Sequence, residues 1–155
     1  TRAAAHPQEE RDRLLQQGFL TREQAASIRM EKVGRFFESG LYRRIAQAKK
    51  VYREIRFNVG IPAEQFAEAG SDVKGELVVL QGVADLVFEE EDGLVVVDYK
   101  TDAARDGESL LSRYQNQLAL YAYAMGEVFH QPVAECILYA FSLDQAFSLK
   151  KEGRR

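Results

Sequence analysis

Apolar and polar positions change their period along the chain, and each period predicts a kind of element. In the first third, apolar residues recur at helical spacing. HPQEERDRLLQQG (6–18) predicts a helix with Gly18 as its C-terminal cap. Thr21, followed three residues later by Gln24, has the form of a capping box and opens a helix over REQAASIRMEKVGRFFES (22–39). Ser39 is placed to cap a short third helix, GLYRRIAQAKK (40–50). VYREIRFNV (51–59) then alternates and is rich in β-branched and aromatic residues, the mark of a strand. IPAEQFAEAGSDVKG (61–75) predicts a polar connection. ELVVLQGVADLVFEE (76–90) and GLVVVDYKT (93–101) read as two strands meeting at Asp92-Gly93, the dipeptide of a type I′ hairpin. ESLLSRYQNQLALYAYAMGEVFH (108–130) returns to helical period for about six turns. VAECILYAFSL (133–143) and AFSLKK (146–151) predict a strand and a short partner.

This order predicts an α/β fold with a mixed β-sheet flanked by helices. Length and composition fit one domain: 155 residues, 46% hydrophobic, suffice for a real core. Within it, residues 1–50 form a helical segment and 51–150 the sheet-bearing core. There are no repeats, low-complexity tracts or linkers.

Composition removes several classes. No window approaches 18 uninterrupted apolar residues, so no membrane span is expected. TRAAAHPQEERDR lacks the apolar centre of a signal peptide. One cysteine, Cys136, excludes an intrachain disulfide and a Cys-ligated cluster built by this chain alone, and points to the cytoplasm. Its setting, AECILYAF, is that of a small core residue. Net charge is −3, unlike a generic nucleic-acid binder. The charge is unevenly spread. Residues 1–57 hold 13 Lys/Arg against 7 Asp/Glu, and the remainder 8 against 17. A basic front and an acidic back would suit a polyanion held across a metal-collecting site, although a solvated helical surface explains the same numbers.

The hairpin carries the candidate chemistry. A two-residue turn at 92–93 predicts that Asp98 faces Val87 and Lys100 faces Asp85, with Asp85, Asp98 and Lys100 on one face. LVVV ahead of Asp98 predicts a strand covered on both sides. Two carboxylates and an ammonium beside a core cost several kcal/mol unless each is compensated. A cross-strand ion pair is one compensation. Mg2+, which takes few protein carboxylates plus waters and phosphate oxygens, is another. The Tyr99 carbonyl could add a third oxygen, its side chain pointing to the opposite face.

Three motifs stand in series: Gly82-Val83-Ala84-Asp85, Asp98-Tyr99-Lys100-Thr101-Asp102, and Gln117-Leu118-Ala119-Leu120-Tyr121. Together they resemble the GxxD, DYK and QxxxY motifs of the RecB-like branch of the PD-(D/E)XK nuclease superfamily. Within it, the chain is most similar to the C-terminal nuclease domains of AddA-type helicase–nucleases, with a restriction-endonuclease-like core. LLQQGFLTREQA, FFES, REIRF and PVAECILYAF extend the resemblance over nearly the whole chain.

The resemblance implies a metal-dependent DNA exonuclease of double-strand break repair and recombination. Asp85 and Asp98 would be metal ligands, the Tyr99 carbonyl a backbone ligand and Lys100 the catalytic lysine. Gln117 and Tyr121 would support the site and contact the DNA strand, with Tyr114 as a further aromatic contact. Glu54 matches an acidic position of the family, consistent with either an outer site role or a surface ion pair with Arg53 or Arg56. The implied cofactor is Mg2+, with Mn2+ able to substitute and Ca2+ binding without supporting activity. The implied partners are single-stranded DNA ends from unwound duplex, the helicase part of a longer chain and an AddB-like protein. No G-x-x-x-x-G-K-[ST] is present, so the motor is expected elsewhere. The family's G-T-x-x-H histidine has no counterpart: His6 stands in AAAHPQ, and His130 reads as a surface residue. A fragment beginning just after that histidine would explain the departure. The competing reading is a nuclease-like module without catalysis, serving in DNA binding or scaffolding.

Overall fold

A computed structural model describes residues 6–65 and 72–150, so the middle of the predicted 61–75 connection lies outside the described residues. Two compact units are distinguished, residues 1–46 and 47–155.

The first unit is helical: α1 (Pro7–Gln16), α2 (Arg22–Ser27), α3 (Met30–Glu38) and α4 (Gly40–Gln47). Its caps follow the sequence closely. Gly18 has φ +76, its N–H donates to Leu15 O, and the Phe19 N–H reaches Leu14 O. Those paired bonds satisfy carbonyls that the helix end would otherwise leave open. Thr21 and Gln24 exchange both bonds of the capping box, at 2.8 and 3.1 Å. The single helix expected over 22–39 is instead two. Ser27 Oγ donates back to Gln24 O at 2.8 Å, and Ile28 turns extended. A serine hydroxyl near a helix end competes for carbonyls in this way, and β-branched Ile28 has no strong helical preference against it. Ser39 Oγ accepts the Tyr42 N–H at 3.1 Å, as its capping role requires.

The second unit is a five-stranded mixed sheet in the order β1-β2-β3-β4-β5, with β1 (Val51–Pro62), β2 (Leu77–Glu90), β3 (Gly93–Lys100), β4 (Val133–Ala140) and β5 (Gln145–Lys150). Only β3 and β4 are parallel. The crossover between them carries α5 (Gly107–Phe129), started by Asp106, whose carboxylate accepts the Ser109 N–H at 2.8 Å. Leu94, Val95, Val96 and Val97 are all buried, as a strand covered on both sides requires. Each such residue contributes roughly 1.5–3 kcal/mol relative to exposure. Cys136 is buried as expected.

The hairpin register differs from the one Asp92-Gly93 predicts. Glu90 pairs with Gly93, so the turn is Glu91-Asp92. Neither turn residue has positive φ, which excludes type I′. Gly93 is used differently: at φ +133, a Cβ there would sit 2.5 Å from Pro132 O, and Leu94 N–H bonds the same carbonyl at 2.9 Å. Its missing side chain admits the loop that starts β4. Val87 therefore opposes Val96, and the register carried one step past Leu86–Val97 sets Asp85, not Val87, opposite Asp98. Lys100 lies beyond Asp85. The register shift is two residues, so parity is preserved.

A second irregularity lies in β1. Tyr52 contacts Phe129 with ring centroids 4.7 Å apart, and Phe57 contacts Tyr121 at 5.4 Å. Both partners are on α5, yet residues five apart on a regular strand point to opposite faces. Glu54, between them, has φ +52. Pairing resumes in the same register beyond it, with Arg53 opposite Leu86 and Ile55 opposite Ala84. The alternation slips at Glu54, which stands at the register position opposite Asp85.

Candidate active site

The candidate site forms where β2, β3 and α5 meet. β3 ends its pairing with β2 near Asp98, and there the Tyr99 N–H donates to Asp85 Oδ2 at 2.8 Å. Asp85 thus closes the end of the ladder with its carboxylate. Asp98 is 4% exposed, and its Oδ2 lies 2.8 Å from Lys100 Nζ. Apart from that ion contact, this buried oxygen has no hydrogen bond. Burial pushes the Asp98 carboxyl above the usual range, and the charges of Asp85 and Asp102 add to this, against the opposing pull of Lys100. Burial pulls the Lys100 ammonium down, but Asp98 more than offsets it, leaving the lysine above its usual value. Burial, with help from Asp85, raises the Tyr99 phenol to about 12.

α5 supplies the other wall. Lys100 Nζ donates to Gln117 Oε1 at 3.0 Å, and Gln117 Nε2 donates to Tyr121 OH at 3.2 Å. Gln117 and Tyr121 are one turn apart on one face, as their spacing predicts. Tyr121 also packs edge-on against Phe57, so its structural and site contacts coexist. Gly82 explains itself here. A Cβ at that position would lie 2.7 Å from Phe57 Cζ, so the glycine makes room for the ring that buttresses Tyr121.

Asp85, Asp98, Tyr99, Lys100, Gln117 and Tyr121 are therefore brought together. Glu54 is exposed and, among the described residues, makes no ion pair with Arg53 or Arg56. His130 is exposed and ends α5 in the left-handed conformation. His6 is exposed at the N-cap of α1, in the other unit. Two residues without a sequence-based role at the lysine join the site. Asp102 accepts the Tyr114 hydroxyl and lies 4.0 Å from Arg113, while the Tyr114 ring lies 4.2 Å from Lys100 Nζ. The parity of Asp102 with Asp98 was the one available signal for it.

The donor set suits a hard cation with open positions: two carboxylates and a backbone carbonyl, with one buried carboxylate oxygen lacking a hydrogen bond. Among the described residues no cluster of three or more His, Cys, Asp or Glu surrounds a common point. Such a set leaves positions for water and a phosphate oxygen.

The PD-(D/E)XK nuclease superfamily model matches residues 1–151. The chain belongs to this superfamily. Among curated proteins it is similar to the ATP-dependent helicase/nuclease of the AddA type from Geobacillus thermodenitrificans, 38% identical over 83% of this chain. The proteins of the same name from Lachnoclostridium phytofermentans and Bacillus mycoides are 35% and 37% identical over 88% and 93% of it. The chain spans only 11–13% of the length of these relatives. The crystal structure of SSO0001 aligns with 92% of this chain and 62% of its own, at 17% identity and TM-score 0.46. For this member of the superfamily, the mixed sheet and its flanking helix are the family's α/β architecture. No helix among the described residues is long and apolar enough to cross a membrane.

Proposed function

We propose that this chain is the metal-dependent nuclease module of a helicase–nuclease, hydrolysing phosphodiester bonds in DNA as an exonuclease in break repair and recombination. The observation that carries the reading is the linked set Asp98–Lys100–Gln117–Tyr121, set beside Asp85 at the open end of β3. The relatives' name, ATP-dependent helicase/nuclease, supports the assignment to a larger machine. It also supports single-stranded DNA, delivered by unwinding, as the substrate, with an AddB-like protein as partner.

Asp85, Asp98 and the Tyr99 carbonyl would hold the divalent cation, Mg2+ or Mn2+. When bound, such an ion lowers the pKa of a water and polarises the scissile phosphate. Lys100 has the remaining chemistry. Its ammonium, held by Asp98 and Gln117, offsets the charge that develops as water oxygen bonds to phosphorus and the P–O3′ bond breaks, leaving a 5′-phosphate. Tyr121 acts through Gln117, whose amide it orients by accepting its N–H. Glu54, at the register position opposite Asp85, is assigned an outer role at the same site.

The test is incubation of linear single- and double-stranded DNA with the chain, with Mg2+ or with EDTA, alongside Asp85→Ala and Lys100→Ala. Expected is Mg2+-dependent cleavage that both substitutions abolish. DNA binding without cleavage by the unaltered chain, or cleavage that survives Asp85→Ala, would favour the DNA-binding or scaffolding reading or sink the site assignment.

A further inference from the structure

The ammonium of Lys100 has three N–H donors, and its surroundings form three walls. Asp98 Oδ2 lies at 2.8 Å, Gln117 Oε1 at 3.0 Å, and the centroid of the Tyr114 ring at 4.2 Å. The first two walls come from the superfamily's motifs. The third does not, and it is itself held: the Tyr114 hydroxyl donates to Asp102 Oδ2, and Arg113 approaches that same oxygen from one residue earlier on α5. Tyr114 is also packed against the hydrophobic core that α5 forms with the sheet. With Lys100 at its face, the core against the ring and its hydroxyl committed, little aromatic surface is left for a nucleotide base. That differs from the stacking contact the sequence suggests for this residue.

We propose that Tyr114 and Asp102 are a positioning pair for Lys100. The ring is the third wall of the ammonium's cage, and Asp102 locks the ring's orientation through the phenol. The geometry also fits the sequence spacing. Asp102 leaves β3 two residues after Lys100, and Tyr114 precedes Gln117 by three, so one strand end and one helical turn carry all four groups. Cation–ring attraction needs the ammonium within about 6 Å of the centroid, which this arrangement meets. The inference rests on the reading of Lys100 as the catalytic lysine, and its test must fail separately from that reading.

The experiment uses the full chain and four substitutions: Tyr114→Phe, Tyr114→Leu, Asp102→Asn and Asp102→Ala. Three quantities are measured: kcat on a labelled single-stranded oligonucleotide with Mg2+, Kd for that oligonucleotide in EDTA, and the NMR signal of 13Cε-labelled lysine. In the unaltered chain the Lys100 signal, assigned by its absence in Lys100→Ala, should be displaced by the ring current of Tyr114. Tyr114→Leu should return it to the ordinary lysine position and lower kcat by about tenfold or more, with Kd changed less than about twofold. Tyr114→Phe, which keeps the ring and loses the bond to Asp102, should fall between. Asp102→Asn, which keeps an acceptor, should be milder than Asp102→Ala. Should Tyr114→Leu fail to fold, Asp102→Ala carries the same test with the ring intact. A weakened Kd with kcat retained in Tyr114→Leu would make Tyr114 a stacking contact and overturn the proposal, as would a Lys100 signal indifferent to all four changes. If the signal responds as described but no variant or parent cuts DNA, the pair stands and the nuclease reading falls.

Discussion

Gly82→Ala tests how the fold delivers the site, because a single methyl there has a measurable effect at Lys100. The new Cβ would lie 2.7 Å from Phe57 Cζ and 3.2 and 3.3 Å from its two Cε atoms. Ordinary carbon contacts are about 3.5–4.0 Å, so the ring must retreat by roughly 1 Å. Phe57 is 6% exposed and sits edge-on against Tyr121, so it cannot retreat freely. Overpacking of this kind costs about 1–3 kcal/mol. An alanine in a strand also gains something over glycine, roughly 0.4–1 kcal/mol, by restricting the unfolded chain. The clash wins, and a net loss of about 1–2 kcal/mol lowers Tm by roughly 2–8 °C for a chain of this size. The displacement passes from Phe57 to Tyr121, on to Gln117 at 3.2 Å, and to Lys100 at 3.0 Å. A misplacement near 1 Å at a reacting group can cost about a hundredfold in rate. Scanning calorimetry and kcat on single-stranded DNA are the assays, with DNA affinity expected to hold. Adding Phe57→Leu to Gly82→Ala should recover most of the stability and little of the activity. An unchanged Tm together with unchanged kcat for Gly82→Ala would refute the chain of contacts from Gly82 to Lys100.

Other expectations concern ionisation and backbone. Because burial raises the folded-state pKa of Asp98, the folded chain binds its proton more tightly than the unfolded chain. Stability from this group is therefore greatest below the ordinary carboxylate pKa and is lost as pH rises through the raised value. Asp98→Asn should flatten that slope in EDTA-treated protein while abolishing cleavage, and denaturant titrations across the acid range would show whether it does. Tyr99, raised to about 12, should ionise late in a spectrophotometric titration. Its contribution to stability is present below the ordinary tyrosine value and lost towards pH 12, and Tyr99→Phe should remove the late step. His130 holds φ +52 and ψ +39 at the C-cap of α5, where glycine is unstrained. His130→Gly should raise stability by up to about 1 kcal/mol, read as midpoint denaturant concentration, without altering cleavage.

Much of this architecture was legible because periodicity and burial agree. The LVVV run of β3 could only be a covered strand, and the six-turn stripe of α5 could only be a helix. Asp85, Asp98 and Lys100 were legible as a group since period-two alternation survives a register error of two residues. The register itself was not legible. Asp92-Gly93 is a strong hairpin signal, but Gly93 is needed against Pro132, a contact 39 residues away that no local pattern encodes. Glu54 was unreadable for a related reason: nothing in REIRF announces a left-handed residue, because the cause lies in how β1 must turn to keep both Tyr52 and Phe57 against α5. Asp102 lies past the end of β3, where alternation stops assigning faces, and only the fold brings it to Tyr114.

The hydrogen bond from Tyr99 N–H to Asp85 shapes how this protein could change over generations. One carboxylate finishes the sheet and also serves the chemistry, so most substitutions at Asp85 leave a backbone donor stranded, a loss of about 1–3 kcal/mol when buried. Asparagine is the exception, since its amide oxygen can still accept that bond. Descendants that abandon catalysis at this position without weakening the fold would therefore do so most readily through Asp85→Asn. An inactive homologue carrying asparagine here would be one that kept its architecture while giving up its metal.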